Sequence, residues 1–154
     1  MTEAGFAHCF PIRVYYEDTD AGGIVYYANY LRFFERGRTE YLRDAGIEQQ
    51  ELRRTHSLIF AVRSCKIEYL ASALLDDLLQ VVTEIRAIGA SRLDIAQIIR
   101  HEERVLTTGL ITVVAIGVDG KAKRIPDFLR QMILPLIVPA QEDKGKSIDG
   151  NTGN

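Results

Sequence analysis

The feature that most constrains this chain is a change of hydrophobic period near residue 57. From about Ala28 to Ala45 the apolar residues recur at helical spacing. Steps of about 100° put Tyr30, Phe33, Phe34, Tyr41 and Ala45 on one side, and Leu31 and Leu42 widen that face. Arg32, Glu35, Arg36, Thr39 and Arg43 lie opposite, and Gly46 supplies a stop just past the end. Beyond residue 57 the period drops to two, which a half-buried strand needs and a helix cannot use. Leu58, Phe60 and Val62 share one face, then the phase flips to Cys65, Ile67 and Tyr69, which predicts a bulge at Arg63–Ser64. Leu79, Val81, Ile85 and Ala87 alternate with Gln80, Glu84 and Arg86. After a turn at Gly89, Leu93, Ile95 and Ile99 point inward while Arg92, Asp94 and Arg100 point outward.

Val105–Val118 is a long strand with apolar residues on both faces, including Leu106, Leu110, Val114, Ile116 and Val118, which places it centrally or at an interface. Upstream of the helix, Pro11–Glu17 is predicted as a strand, because Val14, Tyr15 and Tyr16 favour extended backbone; Met1–Cys9 is a lead-in. Ile47–His56 suggests a short polar helix or turn, and Asp127–Met132 a terminal helical turn. The predicted order is strand, long helix, then four strands joined by short turns. Short turns imply antiparallel neighbours, and one long helix on one antiparallel sheet is an α+β architecture. Within the helix, Arg36 and Glu40 are spaced to pair on the solvent side. Arg38 falls in the apolar sector, where its stem can pack while its head reaches water or a carboxylate.

Between the first strand and the helix lies the acidic loop Asp18-Thr19-Asp20-Ala21-Gly22-Gly23, whose glycines allow backbone conformations that other residues resist. An acidic loop feeding a helix start puts a carboxylate beside backbone N–H groups that have no helical partner. A base or nucleophile next to ready oxyanion donors suits acyl transfer. From spacing alone, Asp20 reads first as a helix cap or turn residue, and Asp18 and Asn29 read the same way. Tyr26, Tyr27 and Phe33 fit an acyl pocket or an ordinary core.

Other chemistries find less support. His8, His56 and His101 are scattered without zinc-ligand spacing, so no metal site is expected, and no G-x-S-x-G motif marks a serine hydrolase. Cys9 and Cys65 form neither a CxxC pair nor a disulfide framework, so free thiols are expected. A net charge of −2 argues against broad nucleic-acid binding. The first residues, MTEAGFAHCFPIR, lack a basic start followed by an apolar run. The apolar stretches near Leu110–Val118 and Met132–Ala140 are about half what a membrane span requires. A cytoplasmic protein is the expectation. The 154 residues suit one domain over 1–140, with the polar tail Gln141–Asn154 disordered.

The stretch YYEDTDAGGIVYYANYLRFFERGRTEYL resembles the hot-dog-fold acyl-CoA thioesterases of the 4-hydroxybenzoyl-CoA thioesterase class, and within it the YbgC-like, Tol-Pal-associated enzymes. The resemblance covers Pro11 to Pro126 in element order. It implies a hot-dog fold and hydrolysis of a thioester to free acid and coenzyme A, with coenzyme A as part of the substrate and no cofactor. It places the catalytic aspartate at Asp20 and the helix-start oxyanion donor at the backbone N–H of Tyr27; many YbgC-like members carry histidine at this position. Gly23 and Tyr26, beside these, are assigned to substrate binding. Coenzyme A carries phosphates, so a cationic rim is expected. Lys121, Lys123 and Arg124 form the densest basic cluster, and Arg92 beside a hairpin turn is a second candidate. The resemblance further implies a homodimer or homotetramer with sites between subunits. A non-catalytic adaptor that binds acyl carrier protein or an envelope-associated partner is the rival reading.

Overall fold

The computed structural model describes residues 5–140, so the predicted tail at Gln141–Asn154 and the first four residues lie outside the described part. Five strands, β1 (His8–Arg13), β2 (Ile59–Tyr69), β3 (Leu78–Ile88), β4 (Arg92–His101) and β5 (Arg104–Ile116), form one antiparallel sheet in the order β1-β3-β4-β5-β2. Helix α1 (Asn29–Asp44) lies across β1 and β3, giving the expected α+β hot-dog arrangement of a helix laid on a sheet. It is not the sole helix: α2 (Gln49–His56) and α3 (Asp127–Ile133) accompany it.

The period arguments translate directly into burial. On α1, Tyr30, Phe33, Phe34, Tyr41 and Leu42 are buried, while Leu31 is exposed at the margin of the face. Gly37 faces the sheet at the point of closest approach. A Cβ there would stand 2.5 Å from Cγ1 of Val81, so only glycine lets the helix sit this near. One group of buried side chains joins the first half of α1 to β1, β3 and β4 through Ile12, Phe33, Phe34, Val81 and Ile99. A second joins its C-terminal half to α2, α3 and the far end of the sheet through Tyr41, Leu52, Ile85, Ile111 and Leu129. The bulge expected at Arg63–Ser64 is present as a register shift between Val62 and Ser64. Two others, between Ile85 and Ala87 and between Ile99 and Arg100, add twist to the inner strands.

Several expectations are corrected. The first strand runs from His8 to Arg13, not Pro11 to Glu17, so His8 and Cys9 are sheet residues rather than a lead-in. Strand pairing stops because Tyr16–Asp18 turns through one 3-10 step, held by Asp18 Oδ2 accepting the Tyr15 N–H at 2.8 Å. The short linker between β2 and β3 does not make them neighbours. β2 is an edge beside β5, and residues 70–77 carry the chain across to β3, which lies between β1 and β4. Ala87 is exposed, because the bulge before it reverses the alternation. Glu40 pairs with Arg43 at 3.0 Å instead of Arg36, which stands 6.0 Å from the centre of the Phe33 ring. Among the described residues the half-buried head of Arg38 pairs with no carboxylate: Nη1 donates to Oε1 of Gln97 at 3.0 Å. On β5, Leu106 is buried on the helix side, whereas Leu110 is exposed on the other face and Val114 and Ile116 are half-buried.

Candidate active site

The acidic loop is a small hairpin closed by a bridge between Thr19 and Val25. Asp20 donates its N–H to the Ile24 carbonyl at 2.9 Å and accepts the Gly23 N–H on its own carbonyl at 3.0 Å. Its carboxylate Oδ1 accepts the Gly22 N–H at 2.8 Å. Gly23 has φ +77°, a conformation that residues with a Cβ rarely adopt, and a Cβ there would touch nothing; its role is conformational. The hairpin is fixed to the crossover segment by the Val25 N–H donating to Ala73 at 2.9 Å and by a bridge between Ile24 and Leu74.

The two acids of the loop have opposite surroundings. Asp18 is 6% exposed and fully engaged: Oδ2 accepts the Tyr15 N–H, Oδ1 accepts Nδ2 of Asn29 at 3.1 Å, and its carbonyl accepts the Tyr26 N–H at 2.9 Å. It ties the turn before the loop to the first residue of α1. Asn29 serves the same joint and gives α1 no side-chain cap. Asp20 is exposed, with one carboxylate oxygen held and the other directed to no described partner.

Asp20 opens into a pocket of about 270 Å³ lined with Ile24, Val25, Tyr27, Tyr30, Tyr69 and Leu70–Ser72. The rings of Tyr27, Tyr30 and Tyr69 form a continuous wall, with centres 6.1 Å apart for Tyr27–Tyr69 and 5.6 Å for Tyr30–Tyr69. The Tyr30 hydroxyl accepts the Ala73 N–H at 3.0 Å, and burial pushes its phenol above the ordinary range. Burial, then charge from Cys65, Tyr27 and Tyr30, raises Tyr69 as well. Tyr27 sits two residues before α1, and among the described residues its N–H has no hydrogen-bond partner. Tyr26 is half-exposed, and its ring centre is 5.0 Å from that of Tyr27. Phe33, which sequence left open between pocket and core, is fully buried in the core.

The predicted basic rim is elsewhere in the chain. Tyr69 pairs with Thr107 on β5, and Arg92 pairs with Val114. At about 3.3 Å per residue, these seven steps along β5 put the two ends roughly 23 Å apart. Lys121, Lys123 and Arg124 follow β5, at the Arg92 end. Lys123 Nζ donates to the His56 carbonyl, Arg92 lies 3.4 Å from Asp94, and Arg124 is exposed. One chain therefore brings Asp20, Gly23, Tyr26 and Tyr27 together but not Arg92, Lys123 or Arg124. Sequence reasoning missed Tyr30 and Tyr69 as pocket residues. Tyr30 was assigned to the core face, and Tyr69 joins only because β2 ends beside the crossover. A larger cleft of about 780 Å³ runs between α2 and the start of β2, away from Asp20. The three histidines do not line the Asp20 pocket: His8 meets Asp44 at 2.6 Å, His56 stacks near Phe128, and His101 lies 3.7 Å from Asp77. Among the described residues, no helix is long and apolar enough to cross a membrane.

The chain is similar to known thioesterases in sequence and fold. The thioesterase-like superfamily matches residues 14–133. The acyl-CoA thioesterase YbgC of Haemophilus influenzae is 43% identical over 125 residues, spanning 81% of this chain and 90% of that protein. The acyl-CoA thioester hydrolase YbgC of Escherichia coli O6:H1 is 44% identical over 108 residues, 70% of this chain and 80% of that one. The crystal structure of a probable thioesterase from Bartonella henselae superposes with a TM-score of 0.76 at 40% identity, covering 79% of this chain and all of the other. The chain belongs to the thioesterase-like superfamily.

Proposed function

We propose that the protein is an acyl-CoA thioesterase in which Asp20 acts on the thioester and the Tyr27 N–H receives the developing oxyanion. The observation that carries the assignment is the contrast between the loop's two acids. Asp18 is buried and used up in holding the turn, while Asp20 keeps a free carboxylate oxygen at the wall of an aromatic pocket. The curated relatives named above are acyl-CoA thioesterases along most of their length, which supports the same reaction here.

Asp20 can attack the carbonyl carbon itself. The C–S bond then breaks, coenzyme A leaves as thiolate, and water hydrolyses the resulting mixed anhydride. Alternatively it takes a proton from water, which attacks in its place. A donor aimed at the oxyanion contributes about 3 kcal/mol when removed singly. The reaction draws on no resident cofactor, and a cytoplasmic enzyme assembled as a homodimer or homotetramer fits this reading.

The test is thiol release from a panel of acyl-CoA thioesters. Asp20→Asn preserves shape and turn bonding and is expected to lose about a hundredfold or more in turnover while folding normally. Asp18→Asn is expected to lose far less. Near wild-type turnover in Asp20→Asn would sink the mechanism, and an equal loss in both variants would show the wrong acid had been chosen. In a single turnover in heavy-oxygen water, label in the Asp20 carboxylate requires the anhydride route with water entering at the aspartyl carbonyl, whereas entry at the acyl carbonyl, like the water route, labels the released acid.

A further inference from the structure

We infer that Tyr69 sets the acyl specificity of the pocket, acting as a fixed wall that admits compact acyl groups and turns away extended ones. The inference rests on the thioesterase reading above. Tyr69 is the last residue of β2 and is 47% exposed. One side of the ring is packed: it stands edge-on to Tyr27 at 88° and tilted at 56° to Tyr30. The remaining surface lines the same pocket as Asp20. Among the described residues its hydroxyl has no hydrogen-bond partner, so the ring is held by packing and backbone position alone.

That backbone is held by the sheet. Tyr69 pairs with Thr107 on β5, and the next two residues, Leu70 and Ala71, both donate to the Leu106 carbonyl, at 2.8 and 3.1 Å. The opposite wall is pinned too, by the Tyr30 hydroxyl on Ala73 and by Val25 on the same residue. The space between these walls is about 270 Å³, roughly a third of the cleft beside α2. A second copy of the chain can add walls to this pocket but cannot remove this one. Of the pocket's rings, Tyr30 is a buried core residue and Tyr27 carries the N–H assigned to the oxyanion, so Tyr69 is the ring that can be trimmed without touching either the core or that donor.

The experiment measures kcat/KM for straight-chain thioesters from butanoyl- to palmitoyl-CoA in wild type, Tyr69→Phe, Tyr69→Leu and Tyr69→Ala, with thermal unfolding of each. Wild type is expected to peak among the short chains, and Tyr69→Phe to keep that profile. Tyr69→Ala is expected to move the peak to longer chains, with a loss of about three- to tenfold on the short ones from the missing ring contact. Tyr69→Leu, which retains a side chain in the packed position, should fall between them and gives the answer if the alanine variant does not fold. An unchanged length profile in both trimmed variants, or a shift as large in Tyr69→Phe, overturns the assignment while Asp20-dependent hydrolysis stands. Absence of hydrolysis of any thioester by wild type overturns both readings.

Discussion

Arg38 offers a test of how this core tolerates a charge. Its Nη1 donates to Oε1 of Gln97 at 3.0 Å, and Gln97 Nε2 donates in turn to the Phe34 carbonyl at 2.9 Å and to Oγ1 of Thr83 at 2.8 Å. Gln97 and Thr83 are each 1% exposed, and burial pulls the Arg38 guanidinium below its ordinary range. The charge is thus desolvated and held by a neutral amide. Arg38→Met loses a charge-assisted hydrogen bond, about 1.5–3 kcal/mol, but removes the desolvation cost and keeps the packed stem. The net loss expected is about 1 kcal/mol. Gln97→Leu removes the acceptor and leaves the charge in place, so it should cost about 3 kcal/mol. Either variant lacking Gln97 also takes a donor from the buried Thr83 hydroxyl, a loss that cancels in the comparison; removing both partners leaves no unpaired guanidinium, and the double variant should be more stable than the sum predicts by about 1 kcal/mol or more. Urea unfolding followed by far-ultraviolet circular dichroism measures all three, with turnover in Arg38→Met expected within a few-fold of wild type. Strict additivity would falsify the coupling, and a folded Arg38→Met without activity would move Arg38 into the catalytic machinery.

Two further outcomes follow from buried polar groups. Asp18→Ala strands the Tyr15 N–H and leaves Asn29 Nδ2 with only the Asp18 carbonyl at the joint between loop and helix, and should cost about 1–3 kcal/mol in equilibrium unfolding; unchanged stability would refute the structural role given to Asp18. Burial, with a smaller push from Glu84, moves the Tyr41 phenol up to about 12, and its hydroxyl donates to the Phe6 carbonyl at 3.1 Å. A raised folded value means its contribution is intact below the unfolded value near 10 and is lost as pH climbs from there toward about 12. Unfolding titrations should show stability falling across that window and a shallower fall in Tyr41→Phe; identical slopes would contradict it.

Period and composition made the regular elements legible. The helix predicted over Ala28–Ala45 is Asn29–Asp44, and the phase flip in β2 marked its bulge, because each pattern is fixed by which face is buried. Strand order was not legible. A short linker reads the same whether it closes a hairpin or crosses the sheet, and residues 70–77 cross it because the acidic hairpin docks on Ala73 and Leu74. The strand preference of Val14, Tyr15 and Tyr16 was overruled by one carboxylate, that of Asp18. The Arg38 misfit had its answer in the sequence as well. Gln97 sits at an inward position between Ile95 and Ile99, so two residues that each break a pattern satisfy one another. No local rule links positions so far apart.

The basic residues pose the same problem at the scale of the whole site. Within one chain, a thioester at Asp20 could meet Arg92 or Arg124 only by running the length of the sheet. β2 ends the sheet order and is exposed along Val62–Lys66, an edge unpaired among the described residues and of the kind that pairs with another strand. If two copies pair antiparallel along β2 about a two-fold axis, the ends of the sheet are exchanged, and the Arg92 end of one chain comes beside the Asp20 pocket of the other. The same pairing would cover part of the exposed apolar surface at Val62. Light scattering at micromolar concentration should then show a dimer or tetramer, and an active monomer would end the argument. The stricter test mixes Asp20→Asn subunits with subunits carrying Arg92→Glu and Arg124→Glu. In a shared site, one of the two pockets in each mixed dimer keeps both its own Asp20 and its partner's arginines, so activity returns in part above that of either variant alone. Self-contained sites would give no recovery, because every pocket would then lack either the carboxylate or the cations.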